Sequence, residues 1–410
     1  MSNPSRDRER AVRLFALVLV CVAVTGSMSG KIFSNYFKEV YAVTSAQRGF
    51  IEIPRESPGI LCMVLVAGLG FLGNVRLAIL AQALMLVGLT VMGFLSPGYG
   101  VMLVFLFLHS LGDHLFMPLN DTISMDLARD GKVGASLGKF KGVTTMATMV
   151  GSCVIFVGFR AGWFSFQNRV ILPFAIGAAS AALAIVLLVR LEGCMPATQT
   201  RVTNHKLLFR REYTPYYMVT LAYGCQKRIR LVFAPWVIID LLGRGADVAA
   251  LLTIVVYLVG MLAAPVLGRM LDRLGVRRML WLEAGYILVT FCALGALAGQ
   301  LASGALSGEG WQTWAVYGAY VLCMLFDQFN IVHAFMMRSI ARDPGEVTRT
   351  LSVGLGVDHV MAIIASPIMG LIWDGAGVQY VFYLAAASAV LQLAASGMIA
   401  GRTGVCGQAS

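Results

Sequence analysis

The stretch Gly49-Phe50-Ile51-Glu52-Ile53-Pro54-Arg55-Glu56-Ser57-Pro58-Gly59 runs without a break into the apolar segment Ile60 to Gly70. Taken as one helix, it puts Glu52 three residues from Arg55 and four from Glu56, so all three share a face. One charge at the centre of a membrane helix costs about 2.5–3.5 kcal/mol on insertion scales. Three within one turn are not kept there for packing against lipid. They face water or opposite charges on other helices. Pro54 and Pro58 free backbone carbonyls in the same turns, which is tolerated at membrane depth only where protein or water re-satisfies them. The stretch is therefore expected to border a polar passage inside a polytopic membrane protein. The plainer alternative is a loop-to-helix junction at the membrane surface, with the charges among headgroups.

Composition supports the membrane setting. Charged residues are 13% of the 410 and hydrophobic ones 58%, with a mean hydropathy of +0.77. Soluble domains carry about 25% charged residues. The net charge of +11 clusters in short loops between apolar runs. There it sets topology and gives no nucleic-acid surface. The first apolar run, from Leu14, is long enough to be a span and has no clear small-residue cleavage site, so no signal peptide is expected. Most of the eight cysteines fall inside apolar runs, and no two have metal-ligand spacing. They read as small hydrophobes, with neither a disulfide framework nor a metal site.

At roughly 20 apolar residues per span, the chain holds about twelve. The first six are expected at Leu14 to Phe37, Gly49 to Gly70, Leu77 to Leu95, Val101 to Leu127, Gly138 to Gly158 and Val170 to Val189. The second six are expected at Tyr216 to Leu242, Val248 to Leu267, Met279 to Ala298, Trp314 to Ile340, Leu351 to Trp373 and Tyr380 to Ala400. The longest hydrophilic segment lies between the two sets. The expected organisation is a tail over 1–13, one bundle over 14–189, a central loop over 190–212, a second bundle over 213–400 and a tail over 401–410. Loops with Arg6, Arg8, Arg10, Arg13, Arg76, Arg129, Lys132, Arg269, Arg273, Arg277, Arg278, Arg342 and Arg349 fall on one side, together with the basic central loop. The positive-inside rule puts that side and both termini in the cytoplasm, across an inner membrane.

The halves repeat. Asp113, then Leu127-Ala128-Arg129-Asp130-Gly131, Leu137 and Gly142-Val143 recur in order as Asp327, Ile340-Ala341-Arg342-Asp343-Pro344, Leu351 and Gly356-Val357. Duplicated bundles are the usual architecture of secondary transporters, with the site at the midplane between them.

Intramembrane charge sorts the spans. The third, sixth, eighth and twelfth hold no Asp, Glu, Lys or Arg, and the ninth holds only Glu283. The others carry Lys31 and Asn35; Glu52, Arg55 and Glu56; Asp113, His114, Asn120 and Asp121; Lys139 and Lys141; Lys227, Arg228 and Arg230; Asp327, Gln328, Asn330 and His333; and Asp358-His359. Charged spans belong inside and uncharged ones can face lipid. The inner charges are of both signs. Static salt bridges are one reading, since breaking a buried pair costs roughly 3–5 kcal/mol. Coupling is the other: a carboxylate whose cationic partner moves away becomes protonatable near neutral pH. On that reading Glu52, Glu56, Asp113, His114, Asp121, Asp327, Asp358 and His359 are candidate proton-coupling groups. Lys31, Asn35, Arg55, Asn120, Lys141, Lys227, Arg228, Gln328, Asn330 and His333 are candidate solute-binding groups.

The loop after the eighth span reads Gly268-Arg269-Met270-Leu271-Asp272-Arg273-Leu274-Gly275-Val276-Arg277-Arg278. It resembles the cytoplasmic Gly-x-x-x-Asp-Arg-x-Gly-x-Arg signature of the major facilitator superfamily, with Gly268, Asp272, Arg273 and Gly275 matching and Arg278 read as its arginine, one residue past the spacing that Arg277 fills. After the second span, where that family usually repeats the signature, the sequence is Gly70-Phe71-Leu72-Gly73-Asn74-Val75-Arg76, without the Asp. The resemblance implies an all-α polytopic fold of twelve transmembrane helices in two pseudo-symmetric six-helix bundles. It also implies that Asp272 and Arg273 form a cytoplasmic latch that breaks during alternating access.

The remaining motifs carry less. Gly68-x-Gly70-x-x-Gly73 has the letters of a dinucleotide fingerprint, but it ends a membrane helix instead of linking strand to helix. Asp113-His114 and Asp358-His359 have no Ser or Cys nucleophile with a supporting motif, so no enzyme, catalytic residue or cofactor is expected. No nucleotide-binding motif points to direct use of ATP. The expected function is secondary transport of a small polar solute, anionic or zwitterionic, coupled to protons, by a monomer in a lipid bilayer with no nucleic-acid partner. The alternatives are a proton-coupled exporter of lipophilic cations and a transporter-like sensor that binds a ligand without moving it.

Overall fold

The computed structural model describes residues 4–95, 97–127, 133–194, 210–342 and 344–399. Within these, every regular element is helical. The helices of the first half are α1 (Pro4–Ser29), α2 (Phe33–Tyr41), α3 (Ser45–Phe50), α4 (Glu52–Leu69), α5 (Asn74–Phe94), α6 (Tyr99–Asp126), α7 (Val133–Arg160) and α8 (Leu172–Glu192). Those of the second are α9 (Thr214–Arg228), α10 (Ala234–Trp236), α11 (Ala246–Ala302), α12 (Trp311–Leu325), α13 (Asn330–Ile340), α14 (Pro344–Gly375), α15 (Val378–Ala387) and α16 (Val390–Ile399). Nine helical stretches among the described residues are long and apolar enough to cross a membrane. The chain is a multi-pass membrane protein. Trp163, Trp281, Trp311 and Trp314 are exposed, as amphipathic rings at a bilayer interface are.

Several expected spans are broken or joined for local reasons. The second starts early, as α3, and is interrupted at Ile51. Thr44 and Gln47 close a reciprocal capping box at the N-terminus of α3. The seventh passes from α9 through a π-turn, Ile229–Phe233, to α10 and a second π-turn, Val237–Leu241. Pro235 supplies no backbone N–H there, and wider turns on either side accommodate it. The eighth and ninth lie within α11 as two helices on either side of a kink at Gly275, whose φ of 72° and ψ of 167° are not helical. Gly73, just before α5, has φ 81° and ψ 160°. That region is essentially glycine-only. Structurally, then, Gly73 is the counterpart of Gly275, and Arg76 follows it at the spacing of Arg278.

The chain divides into two compact units. The first comprises Met1–Ala42, Pro54–Asn204 and Gly245–Ile254; the second comprises Val43–Ile53, His205–Arg244 and Val255–Ser410. In the first, α5 packs against α6 and α8, and α1 against α7 and α8. Its core is built from residues such as Phe15, Leu19, Leu77, Ala81, Leu115, Ile123, Phe140 and Leu188. In the second, α14 packs against α3, α9, α13 and α15, while α9 also meets α16. The α3–α14 crossing is close enough to need glycine: a Cβ on Gly49 would sit 2.3 Å from the Ser366 carbonyl oxygen, and one on Gly370 2.6 Å from that of Ser45. Small residues at crossings are how membrane helices gain packing without a hydrophobic driving force. Most of the central loop, the Ala128-Arg129-Asp130-Gly131 copy of the repeat, Asp343 and the tail over 401–410 lie outside the described residues.

Candidate functional site

In the second unit, charges from four helices form a buried ladder. Arg48 of α3 donates from Nη1 to Glu52 Oε1 of α4 at 2.7 Å, and the two side chains are 1% and 0% exposed. The second oxygen of Glu52 lies 3.8 Å from Arg228 Nη1 of α9. Arg228 Nη2 lies 3.3 Å from Asp358 Oδ2 of α14, and Lys227 Nζ donates to the same oxygen at 2.6 Å. The backbone makes this possible. Gly224 lets α9 approach until a Cβ there would be 3.5 Å from the Asp358 Cα. The next turn of α9 then carries Lys227 and Arg228 to the carboxylate. In this ladder three cations face two acids. Lys227, with its side chain 25% exposed, is its most open member. Asp358 Oδ1 is buried and has no hydrogen-bond partner among the described residues.

Two further groups involve the same helix. Arg230 Nη2 donates to Asp327 Oδ1 at 2.7 Å, and Tyr223 Oη donates to the same atom at 3.2 Å. Asp327 sits in a 3₁₀ turn, Phe326–Phe329, and is largely exposed. Deeper in the unit, His333 Nε2 donates to Glu283 Oε1 at 2.7 Å, and Gln392 Nε2 approaches that oxygen at 3.2 Å. Gln392 and Gln226 exchange amide hydrogen bonds at 3.1 and 3.2 Å, and Gln226 also donates to Ser388 Oγ at 2.9 Å. Glu283, the one charge of the ninth span, is thus buried against His333 and Gln392.

The first unit holds a looser group. Glu56 is 3.6 Å from His114 Nε2 and 3.8 Å from Arg55 Nη2. These are ion-pair distances, too long for hydrogen bonds. His114 Nδ1 lies 2.8 Å from the Ser110 carbonyl oxygen, and the Ser110 hydroxyl donates to the carbonyl of Arg55, close to Pro58. One of the carbonyls in the proline-containing turns is satisfied in this way. Asp113 is half-buried, and no hydrogen bond to it occurs among the described residues. His109, on the other side, lies 3.2 Å from Ser29 Oγ through its Nε2.

The structure therefore brings Glu52, Lys227, Arg228 and Asp358 together in one cluster and Arg55, Glu56 and His114 in another. The expected common face of Glu52, Arg55 and Glu56 does not act as one group: Glu52 bonds inside the second unit and Glu56 inside the first. His333 contacts Glu283 and not an open surface. Asn35 and His359 are buried, and Gln328 and Asn120 are half-buried. Lys31, Asp121, Lys141 and Asn330 are exposed. Asp272, Arg273 and Arg278 of the loop motif are exposed and make no side-chain bond among the described residues. At the corresponding place in the first unit, Arg76 Nε donates to Glu192 Oε1 at 2.5 Å. Sequence reasoning missed Arg48, Arg230, Glu283, Tyr223, Gln226 and Gln392 as site residues. Arg48 had a legible signal, a carboxylate four residues on.

No protein-family model matches the chain, and no curated protein matches it in sequence. Solved structures do. A mutant of the nucleoside transporter NupG superposes with a TM-score of 0.73 at 13% identity, covering 95% of this chain and 99% of that one. A mutant of the peptide transporter POT in complex with sulfate gives 0.70 at 14%, covering 98% and 99%. The D-xylose-proton symporter gives 0.68 at 14%, covering 95% and 96%. The chain has the major facilitator fold.

Proposed function

We propose that this protein is a secondary active transporter that moves a small polar solute, anionic or zwitterionic, by alternating access of two six-helix bundles. The carrying observation is the buried ladder Arg48–Glu52–Arg228–Asp358–Lys227. Its cations outnumber its acids, so it attracts an anionic group at its open end, Lys227. The free oxygen of Asp358 is an acceptor for an ammonium or hydroxyl on the same solute. The neighbours of similar fold are transporters of nucleosides, xylose and peptides, and one of them is a proton symporter.

Proton coupling follows from the first unit. An imidazole that donates from Nδ1 to Ser110 presents Nε2 to Glu56. A proton arriving at Nε2 or at Glu56 turns a loose pair into a bonded one. Asp113, beside it without a cationic bond, is the second candidate carboxylate. The loop residues Gly268, Asp272, Arg273, Gly275 and Arg278 form the cytoplasmic gate in this reading. The protein is a monomer in the cytoplasmic membrane with both termini inside, and it is not an enzyme.

Flux into proteoliposomes is the test. Uptake of a labelled anionic or zwitterionic metabolite, driven by an inward proton gradient and weakened by Lys227→Gln, is the expected result. Saturable ligand binding with no flux under any gradient overturns the transport reading. Uptake insensitive to Lys227→Gln overturns the anion site.

A further inference from the structure

We infer that Asp327 binds an ammonium group of the solute, one helical turn from the anion site at Lys227, so that the solute carries its two opposite charges at separate ends. The inference rests on the anion site proposed above. Asp327 differs from the sealed acids of the second unit. The side chains of Glu52 and Glu283 are 0% exposed and that of Asp358 8%, whereas that of Asp327 is 53% exposed. Its partner Arg230 is only 4% exposed. The pair is lopsided, with the cation sealed and the acid open. A carboxylate that only neutralised Arg230 would do so better when buried, where screening is weaker. Asp327 also stands at the centre of the expected span Trp314 to Ile340. An open carboxylate at that depth borders water and not lipid.

The fold gives this carboxylate a rigid mount. The span breaks there into the 3₁₀ turn Phe326–Phe329, and such a turn within a longer helix often marks a functional position. Arg230 stitches the break: Nη1 donates to the Met324 carbonyl at 3.4 Å and Nη2 to Asp327 Oδ1 at 2.7 Å. Tyr223 Oη donates to the same oxygen at 3.2 Å. The Tyr223 ring is itself held between Phe326 and His333, with centroids 5.4 and 4.8 Å away. Gln328 turns its amide toward Gly260 of α11, where a Cβ would sit 3.0 Å from Nε2. Both bonds to Asp327 therefore use Oδ1, and Oδ2 makes no hydrogen bond among the described residues. One oxygen fixes the orientation; the other is an anionic acceptor aimed at water, suited to a charge-assisted bond from an ammonium.

The distance to the anion site follows from α9. Tyr223, Lys227 and Arg230 are four and three residues apart on α9 and the turn that follows, so they share a face. Asp327 is held from both sides of Lys227 along that face. Four residues of helix rise about 6 Å. A solute with a carboxylate on Lys227 and an ammonium on Asp327 spans a gap of that order. The buried Oδ1 of Asp358 lies beside Lys227 and takes a donor next to the anionic end. A simple anion that lacks the ammonium meets Asp327 as a like charge, which selects against it.

The test is equilibrium binding to the purified full-length protein, with the ω-amino acids from β-alanine to 6-aminohexanoate and their N-acetyl forms as probes. Acetylation removes the ammonium and keeps the carboxylate. In the wild type, the best-binding amino acid should lose about tenfold or more in affinity on acetylation. Asp327→Asn should abolish that ratio by weakening the amine form alone. Tyr223→Phe, which loosens the mount, should narrow the ratio and leave affinity for the N-acetyl form unchanged. Equal wild-type affinity for amine and N-acetyl forms overturns the ammonium site, as does binding by none of the probes. An Asp327→Asn protein that keeps the wild-type ratio also overturns it. If that variant does not fold, an unchanged ratio in Tyr223→Phe does the same. The two readings fail separately. Equal affinities that Lys227→Gln weakens together leave the anion site standing without the ammonium site. A tenfold ratio without flux leaves the ammonium site standing without transport.

Discussion

Glu52 and Glu56 are the same residue one turn apart on one helix, yet they have different chemistry. Glu52 belongs to the second unit and is sealed, with Arg48 at 2.7 Å and no exposed surface. Glu56 belongs to the first, and its ion pairs with His114 and Arg55 are 3.6 and 3.8 Å long. The internal repeat shows the same contrast. Asp327 is held by Arg230 and Tyr223, whereas its counterpart Asp113 has no hydrogen bond among the described residues. In both comparisons the carboxylate of the second unit has an arginine at 2.7 Å. Buried bonded charge resists change and fixes structure; charge in loose geometry can alter its protonation at small structural cost.

The largest expected effect breaks that comparison directly. Glu52→Gln leaves the buried Arg48 guanidinium without its carboxylate, and should destabilise the protein by roughly 3–5 kcal/mol. Glu56→Gln should cost less than that, since its ion-pair distances of 3.6 and 3.8 Å are longer than the 2.7 Å bond of Glu52. Thermal unfolding in one detergent, with both variants side by side, measures the difference. Equal losses would erase the distinction between the units. Function should rank the other way. Glu56→Gln and Asp113→Asn are expected to reduce proton-driven accumulation to simple equilibration, with solute exchange partly retained. Normal accumulation by both variants would remove them as coupling groups.

Next in size is the glycine pair. Gly73→Ala and Gly275→Ala each force a side chain into a conformation that only glycine adopts readily, at about 1–3 kcal/mol. Similar losses in melting temperature for the two would support their equivalence in the repeat. A loss confined to Gly275→Ala would mean that the first loop relaxes freely.

The charge sorting of the spans was readable because ionic groups are rare at membrane depth and each one needs a reason. It located Lys227, Arg228, Asp358, Glu56 and His114. It could not pair them, since pairing depends on where α9 and α14 approach at Gly224. Arg48 falls one residue before the expected second span, although Thr44 and Gln47 already write a helix start before it. Glu283 stood out as an exception, but its partners His333 and Gln392 are 50 and 109 residues away. Asn330, expected on the solute path, follows a 3₁₀ turn at Phe326–Phe329 that the sequence does not announce, and its side chain is exposed. The loop before α5 lacks the Asp of the motif, and only backbone dihedrals, not letters, pair Gly73 with Gly275.

The smallest effect concerns the loop at the start of α5. Arg76 bonds Glu192 at 2.5 Å, but the side chains are 62% and 35% exposed. Water and salt screen such a pair, so Arg76→Gln should cost no more than about 1 kcal/mol. The loss should shrink further when salt is raised well above physiological strength, because the Debye length falls to about 3 Å at 1 M. The Glu52→Gln loss should not respond to salt, since ions do not reach a sealed carboxylate. Measuring both variants across a salt series separates the two kinds of charge without reference to transport. A salt-independent loss at Arg76 would mean that its contact is structural and belongs with the sealed group.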